Sequence, residues 1–251
     1  MRFLRLSIPV FVFLAAWEAV SRSGTVSPVL FPPPSKVFGA LFSLTASGEL
    51  ITDALASYRR LIVGLFCGSA IGVLVGLFTG RVKKIADVLV PLVQIFRPLP
   101  PVAIIPLVIV WFGIGEVAKY FSIAFAVFFP VWLNTHLGAQ QIPEKIMWCA
   151  STLTRSRLRT LRSVVFPAAL PFIVAGLRVG LALSFTMVFV AELMGSSEGI
   201  GYEIHSSQLA YRIDRMMASL ALLGASGALA DFLFTKGIVR VCPWLRFSQA
   251  K

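Results

Sequence analysis

Charge is scarce in this sequence, and acid is scarcer than base. Only 14% of the 251 residues are charged while 57% are hydrophobic, too little charged surface to keep a soluble domain of this length dispersed. The chain is built for a membrane. Cysteine is also sparse: Cys67, Cys149 and Cys242 stand far apart with no C-x-x-C pair, which argues against a disulfide framework or a zinc finger. The two histidines, His136 and His205, stand alone, and no H-E-x-x-H or other His, Cys and carboxylate cluster offers a metal site. No Gly-Lys dipeptide occurs, so the G-x-x-x-x-G-K-[ST] phosphate loop is missing and ATP is not bound by that route.

The excess of base, 23 Lys and Arg against 11 Asp and Glu, does not point to nucleic acid. These residues sit in short islands between apolar runs, as positive charges do when they hold loops on the cytoplasmic side of a membrane. One catalytic lead fails on order. Gly224-Ala225-Ser226-Gly227 matches the G-x-S-G of rhomboid-type intramembrane serine proteases, but the activating histidine follows the serine there, and both histidines here precede it. Small residues at this spacing are more often close-packing positions between membrane helices.

A membrane helix needs about 20 mainly apolar residues. Six stretches qualify: 4–22, 61–80, 86–110, 117–137, 172–194 and 216–238. The first carries Glu18 and runs into Ser21-Arg22-Ser23-Gly24 without an A-x-A site, so it reads as an uncleaved helix rather than a signal peptide. Between the first two, Phe31-Pro32-Pro33-Pro34-Ser35 predicts an extended strap, and Val37, Leu41, Leu44 and Leu50 predict interfacial helices after it. With a cytoplasmic N-terminus the inner segments hold 14 Lys and Arg and the outer segments 7, with Arg97 and Arg178 inside spans, which favours both termini inside.

The segment 138–171 carries much of that margin. From Pro143 it can run helically, with Ile146, Cys149, Ala150 and Leu153 at i, i+3, i+4 and i+7, so a short amphipathic helix is expected on the inner face.

Charges inside spans are costly and mark candidate sites. Arg97 lies about a dozen residues into the third span and precedes Pro98-Leu99-Pro100-Pro101, which should break the helix. A restart at Pro101 would present free N–H groups, the positive end of a half-helix, inside the membrane. Gln94 and Arg97 therefore make an anion-facing candidate, with Asn134, Ser184 and Glu192 as further polar groups for a substrate path. The alternative is that Arg97 pairs with a carboxylate such as Glu192 and locks the bundle. Arg178 and Asp231 fall at nearly equal depth in the last two spans and are expected to pair as a structural ion pair.

Two stretches then resemble a known family. "PLPPVAIIPLVIVWFGIGEVAKYFSIAFAVFFPVWLNT" from Pro98 and "VVFPAALPFIVAGLRVGLALSFTMVFVAELMGSSEGIGYEI" from Val164 resemble the permease subunits of type I ATP-binding-cassette importers, in the branch for nitrate, aliphatic sulfonates, taurine and bicarbonate. The resemblance spans about 17–245. It implies an all-α integral membrane fold of six helices: a first helix with strap over 1–60, a core of five over 61–245, and the cytoplasmic coupling loop at 138–171. It also implies no catalysis by this chain. ATP and Mg would sit on a separate ATPase, and no cofactor or metal on this subunit. The partners implied are a second copy of the permease, two ATPase subunits, a periplasmic or lipid-anchored substrate-binding protein and the lipid of a bacterial inner membrane. Some members of the family carry thiamine-precursor pyrimidines instead of anions.

In that family the loop bears E-A-A-x(3)-G, whose helix docks on the ATPase. Aligned on Phe166-Pro167-Ala168-Ala169-Leu170-Pro171, the glutamate's place holds Trp148, the alanines' places Cys149 and Ala150, and the glycine's place Thr154. The resemblance thus assigns docking to Met147, Trp148, Cys149, Ala150, Leu153, Thr154, Arg155 and Arg157, with Trp148 as an apolar anchor.

Overall fold

A computed structural model describes residues 2–24 and 26–242, apart from the side chains of residues 2–7 and of Val241. All regular structure in it is helical: α1 Arg2–Arg22, α2 Pro34–Ala46, α3 Glu49–Arg81, α4 Lys83–Phe96, a 3-10 turn Pro101–Ile104, α5 Ile105–Phe112, α6 Glu116–Gln140, α7 Glu144–Leu153, α8 Arg157–Thr160, a π-helical turn Leu161–Val165, α9 Phe166–Leu193, α10 Ile200–Leu209 and α11 Ile213–Val241. Among the described residues four helical stretches are long and apolar enough to cross a membrane: Glu49–Arg81, Glu116–Gln140, Arg157–Leu193 and Ile213–Arg240. A fifth arises if α4 and the segment Pro101–Phe112, bent by 88°, form one broken span. The remaining expected span, 4–22, is helical as α1. Arg246 and Lys251, counted for topology, lie outside the described residues.

Lipid tails are as apolar as Leu, so membrane helices associate through close packing rather than water exclusion. The sequence supplies that closeness on α3, where Gly64, Gly68, Gly72, Gly76 and Gly80 recur every fourth residue on one face. A Cβ built on Gly68 would lie 2.4 Å from the Ala124 carbonyl oxygen, so only glycine lets the α3 and α6 backbones meet there. On its other side α6 meets α9, where Gly176 abuts Pro130 and Asn134. Helix α6 is the hub, and Ile123, Val127 and Val131 join Leu61, Ile105, Leu181 and Val188 in the core. Within the α3–α6 seam the Thr79 hydroxyl accepts from Trp132 Nε1 at 3.2 Å and lies 3.0 Å from His136 Nδ1.

Two helices extend well past the expected spans. Helix α3 begins at Glu49 rather than 61, and the fifth span begins at Arg157 rather than 172. Hydropathy marks what lies in hydrocarbon, whereas a helix continues wherever backbone geometry permits. Pro167 and Pro171 therefore lie within a helix; the wider π-helical turn just before Pro167 absorbs the lost donor and the ring's clash with the preceding turn. Helix α11 lies at the edge against α2, α9 and α10, with a small share of its surface buried.

Candidate functional site

The break in the third span is where the prolines require it. Helix α4 ends with the Arg97 N–H bonded to Val93 O at 2.9 Å, and the chain restarts at Pro101 with no side chain capping the new turn. Gln94 and Arg97 are both exposed. The Arg97 guanidinium has no hydrogen bond or ion pair among the described residues. An unpaired cation at a mid-span break is available to an anion.

The other three path candidates do not gather around it. Asn134 is half-buried and donates from Nδ2 to Pro130 O at 2.8 Å, on the seam with α9. Ser184 is 0% exposed and donates to Leu181 O within its own helix. Glu192 is 1% exposed. Packing seals both Ser184 and Glu192 within this chain. The expected alternative of an Arg97–Glu192 pair is corrected: Glu192 pairs with Arg60.

That ion pair is the centre of a network the sequence reading missed. Arg60 is 1% exposed, yet each of its five N–H groups has an acceptor. Nε and one Nη2 hydrogen bond reach Glu116 at 3.0 and 2.8 Å; Nη1 reaches Glu192 Oε1 and Glu198 O, each at 2.8 Å; Nη2 also reaches Glu198 Oε1 at 3.2 Å. Lys119 Nζ adds a contact to Glu116 at 2.9 Å and another to Ser196 Oγ at 3.1 Å. Around Glu192 the Ser57 hydroxyl and the Gly201 N–H both donate to the carboxylate, at 2.8 and 2.9 Å.

The same groups cap α10. Gly199 N–H donates to Asp53 Oδ1 at 2.7 Å and Ile200 N–H to Ser57 Oγ at 2.9 Å, so α3 and α9 satisfy the free donors at this helix start. Gly199 has φ +123°, and a Cβ there would stand 2.5 Å from the Glu192 carboxyl carbon, so no other residue fits. One ion cluster thus joins α3, α6, α9 and the loop into α10. Arg59 and Arg60 are two of the seven cations assigned to outer segments, because the second span was read as starting at 61. The usable signal was the recurrence of carboxylates, Glu116, Glu192 and Glu198, at the same ends of successive spans.

At the opposite end of α6 the amphipathic helix forms as α7, but its faces differ from the expected ones. Ala150 is buried and Met147 packs against the cluster of Leu77, Ile142 and Val165, whereas Trp148 is 63% and Leu153 85% exposed. Ile146 and Cys149 are exposed too. The helix carries apolar residues on both sides, so periodicity alone did not choose the packed one. Thr154 ends α7 in extended backbone, its N–H bonded to Ala150 O at 3.1 Å, so this position does not need glycine. Arg155 and Arg157 are exposed and unpaired among the described residues. An outward apolar helix flanked by free cations is suited to docking on another protein.

Arg178 and Asp231 form a bidentate ion pair, Nε to Oδ1 and Nη2 to Oδ2, both at 2.7 Å. The pair is about half exposed. Ser226 accepts from the Tyr58 hydroxyl at 2.7 Å and bonds the Leu222 carbonyl; neither histidine is among its partners.

A family model described as "binding-protein-dependent transport system inner membrane component" matches residues 68–240. Taurine transport system permease protein TauC of Escherichia coli is 31% identical over 242 residues, covering 93% of this chain and 86% of that protein. A Bacillus subtilis protein named as an aliphatic sulfonates transport permease, SsuC, is 34% identical over 220 residues, 88% of this chain and 80% of the relative. Among solved structures, an inward-facing form of the MetNI methionine ABC transporter superposes with a TM-score of 0.66 at 22% identity, covering 78% of this chain and 97% of that one. The last likeness concerns the fold.

Proposed function

Since this chain belongs to the family of binding-protein-dependent transport inner-membrane components and is a multi-pass membrane protein, we propose that it is the permease subunit of an ATP-driven importer for a small organic or inorganic oxyanion, with aliphatic sulfonates and taurine foremost. The cargo class rests on the names of the relatives and on one feature, Arg97 without a partner among the described residues at the 88° break of the third span. A sulfonate carries one negative charge on three acceptor oxygens, and a guanidinium meets two of them at once.

In this reading two copies of the chain form the passage, and two cytoplasmic ATPase subunits bind ATP and Mg. A substrate-binding protein delivers cargo over 195–215 and the strap. Both termini are cytoplasmic, which places α7 on the ATPase side and the Arg60 cluster on the delivery side. Trp148 and Leu153 enter the ATPase surface, and movement there passes along the continuous helix from Arg157 to Leu193. This subunit does no chemistry of its own.

The test is uptake by the reconstituted permease, ATPase and binding protein with taurine, ethanesulfonate, nitrate and bicarbonate. Arg97→Ala should abolish sulfonate uptake while the complex still assembles, and Arg97→Lys should retain part of it. Full uptake by Arg97→Ala would reject the site, and uptake without ATP would reject the importer.

A further inference from the structure

Two cavities open side by side where α1 meets the strap. The first, about 330 Å³, is lined by Phe13, Ala16, Trp17 and Val20 of α1, Phe31 of the strap and Met217 of α11. The second, about 360 Å³, is polar, with Ser21, Arg22, Ser35 and Lys36 among its walls. They share their supports: Val20 borders one and Ser21 the other. Phe13, Ala16, Trp17 and Val20 fall on one face of α1, so the apolar groove runs about 10 Å along the helix away from Arg22. The chain does not cover it, for Phe13 is 66% and Val20 48% exposed.

The polar cavity is cationic. Glu18, the carboxylate bonded to two of its lining residues, accepts from Arg22 Nε at 2.6 Å and from the Ser35 hydroxyl and N–H at 2.8 and 3.1 Å. Arg22 Nη2 also reaches Ser35 Oγ at 3.3 Å, but Nη1 has no acceptor among the described residues. Lys36 Nζ has none either. Two cations against one satisfied carboxylate leave a net charge of +1 beside an uncovered apolar groove.

We propose that the two cavities are one site for an anionic phospholipid, an acyl chain lying along α1 and the phosphodiester held by Arg22 and Lys36. A soluble anion would use the cationic end and leave the groove bare, whereas a phospholipid carries both parts at this separation. Helix α1 gains from such a ligand, because its attachment to the bundle runs chiefly through Trp17 against Val37, Ala40 and Ala218. This site would form whatever the cargo.

The test is native mass spectrometry of the full chain titrated with phosphatidylglycerol or phosphatidylcholine. Wild type should retain phosphatidylglycerol in preference to phosphatidylcholine. Arg22→Gln and Lys36→Gln should each weaken that retention about fivefold, and Ala16→Phe, which fills the groove, should lower retention of both lipids. A second readout keeps the charges intact: in phosphatidylcholine bilayers, chain-brominated phosphatidylglycerol should quench Trp17 fluorescence, isolated as the difference from Trp17→Phe, more than brominated phosphatidylcholine at equal fraction. Equal retention of the two lipids by wild type, unchanged preference in the charge variants, or equal quenching would each overturn the proposal. So would competition by millimolar inorganic phosphate, which would make the cationic end a site for free anions, or an effect of Arg22→Gln confined to capture of the binding protein.

Discussion

Removing Arg60 should cost more than removing the carboxylate it holds, and removing both should cost less than the two single losses added together. In Arg60→Met the hydrophobic stem is kept and the five hydrogen bonds are lost. Glu192, whose side chain is 0% exposed, then keeps Ser57 and the Gly201 N–H but has no cation. A buried charge stripped of its partner destabilises by about 3–5 kcal/mol. In Glu192→Gln the guanidinium still has Glu116, at 2.8 Å, and Glu198, so the loss is nearer the 1–3 kcal/mol expected for an imperfectly met polar group. The double variant leaves no unpaired charge deep in the cluster, since Glu116 is one-third exposed and retains Lys119 at 2.9 Å. The double variant should therefore recover about 2 kcal/mol relative to the sum of the single losses. The assay is reversible unfolding of the purified permease in mixed micelles. Trypsin cleavage after Arg212 would report separately on release of α10, whose start is tied to this cluster. Additive losses, or an Arg60→Met penalty below about 1 kcal/mol, would refute the view that Arg60 neutralises a buried Glu192.

Other outcomes follow from the packing and the exposed helix. Gly68→Ala must part α3 from α6 at the Ala124 carbonyl and should lose about 1–3 kcal/mol, whereas Gly39→Ala, with nothing within 4 Å, should gain up to about 1 kcal/mol; equal effects in the same unfolding assay would contradict the close-approach argument. Trp148→Ala should separate ATP hydrolysis from uptake in proteoliposomes, as should joint reversal of Arg155 and Arg157 to Glu, and normal uptake with both would refute docking through α7. For Arg178 and Asp231, about half exposed, a double-mutant cycle should give a small favourable coupling that added salt weakens, and purely additive losses would mean the observed bidentate contact contributes nothing.

Much of the fold was legible because each signal was local. Apolar runs marked the spans, Pro98-Leu99-Pro100-Pro101 marked the break, and the depths of Arg178 and Asp231 brought them into register. What escaped was whatever depended on a neighbour. Gly64 to Gly80 at four-residue spacing was visible as a stripe, but that it meets α6 is a property of two helices. The hydropathy boundary at 61 cut Arg60 away from the helix that carries it, and so hid the most buried cation among the described residues behind the reading of a loop charge. Arg60 and Arg97 both stand near polar interruptions of apolar sequence, and composition treats them alike. Arg60 is surrounded by three carboxylates, which places its charge in the service of a fixed structure. Arg97 has no partner among the described residues and stands at a break where three prolines in four residues interrupt the helix. A membrane chain of 11 acidic residues that places three around one arginine and none beside the other sets a cation locked into the bundle apart from one that no described carboxylate engages.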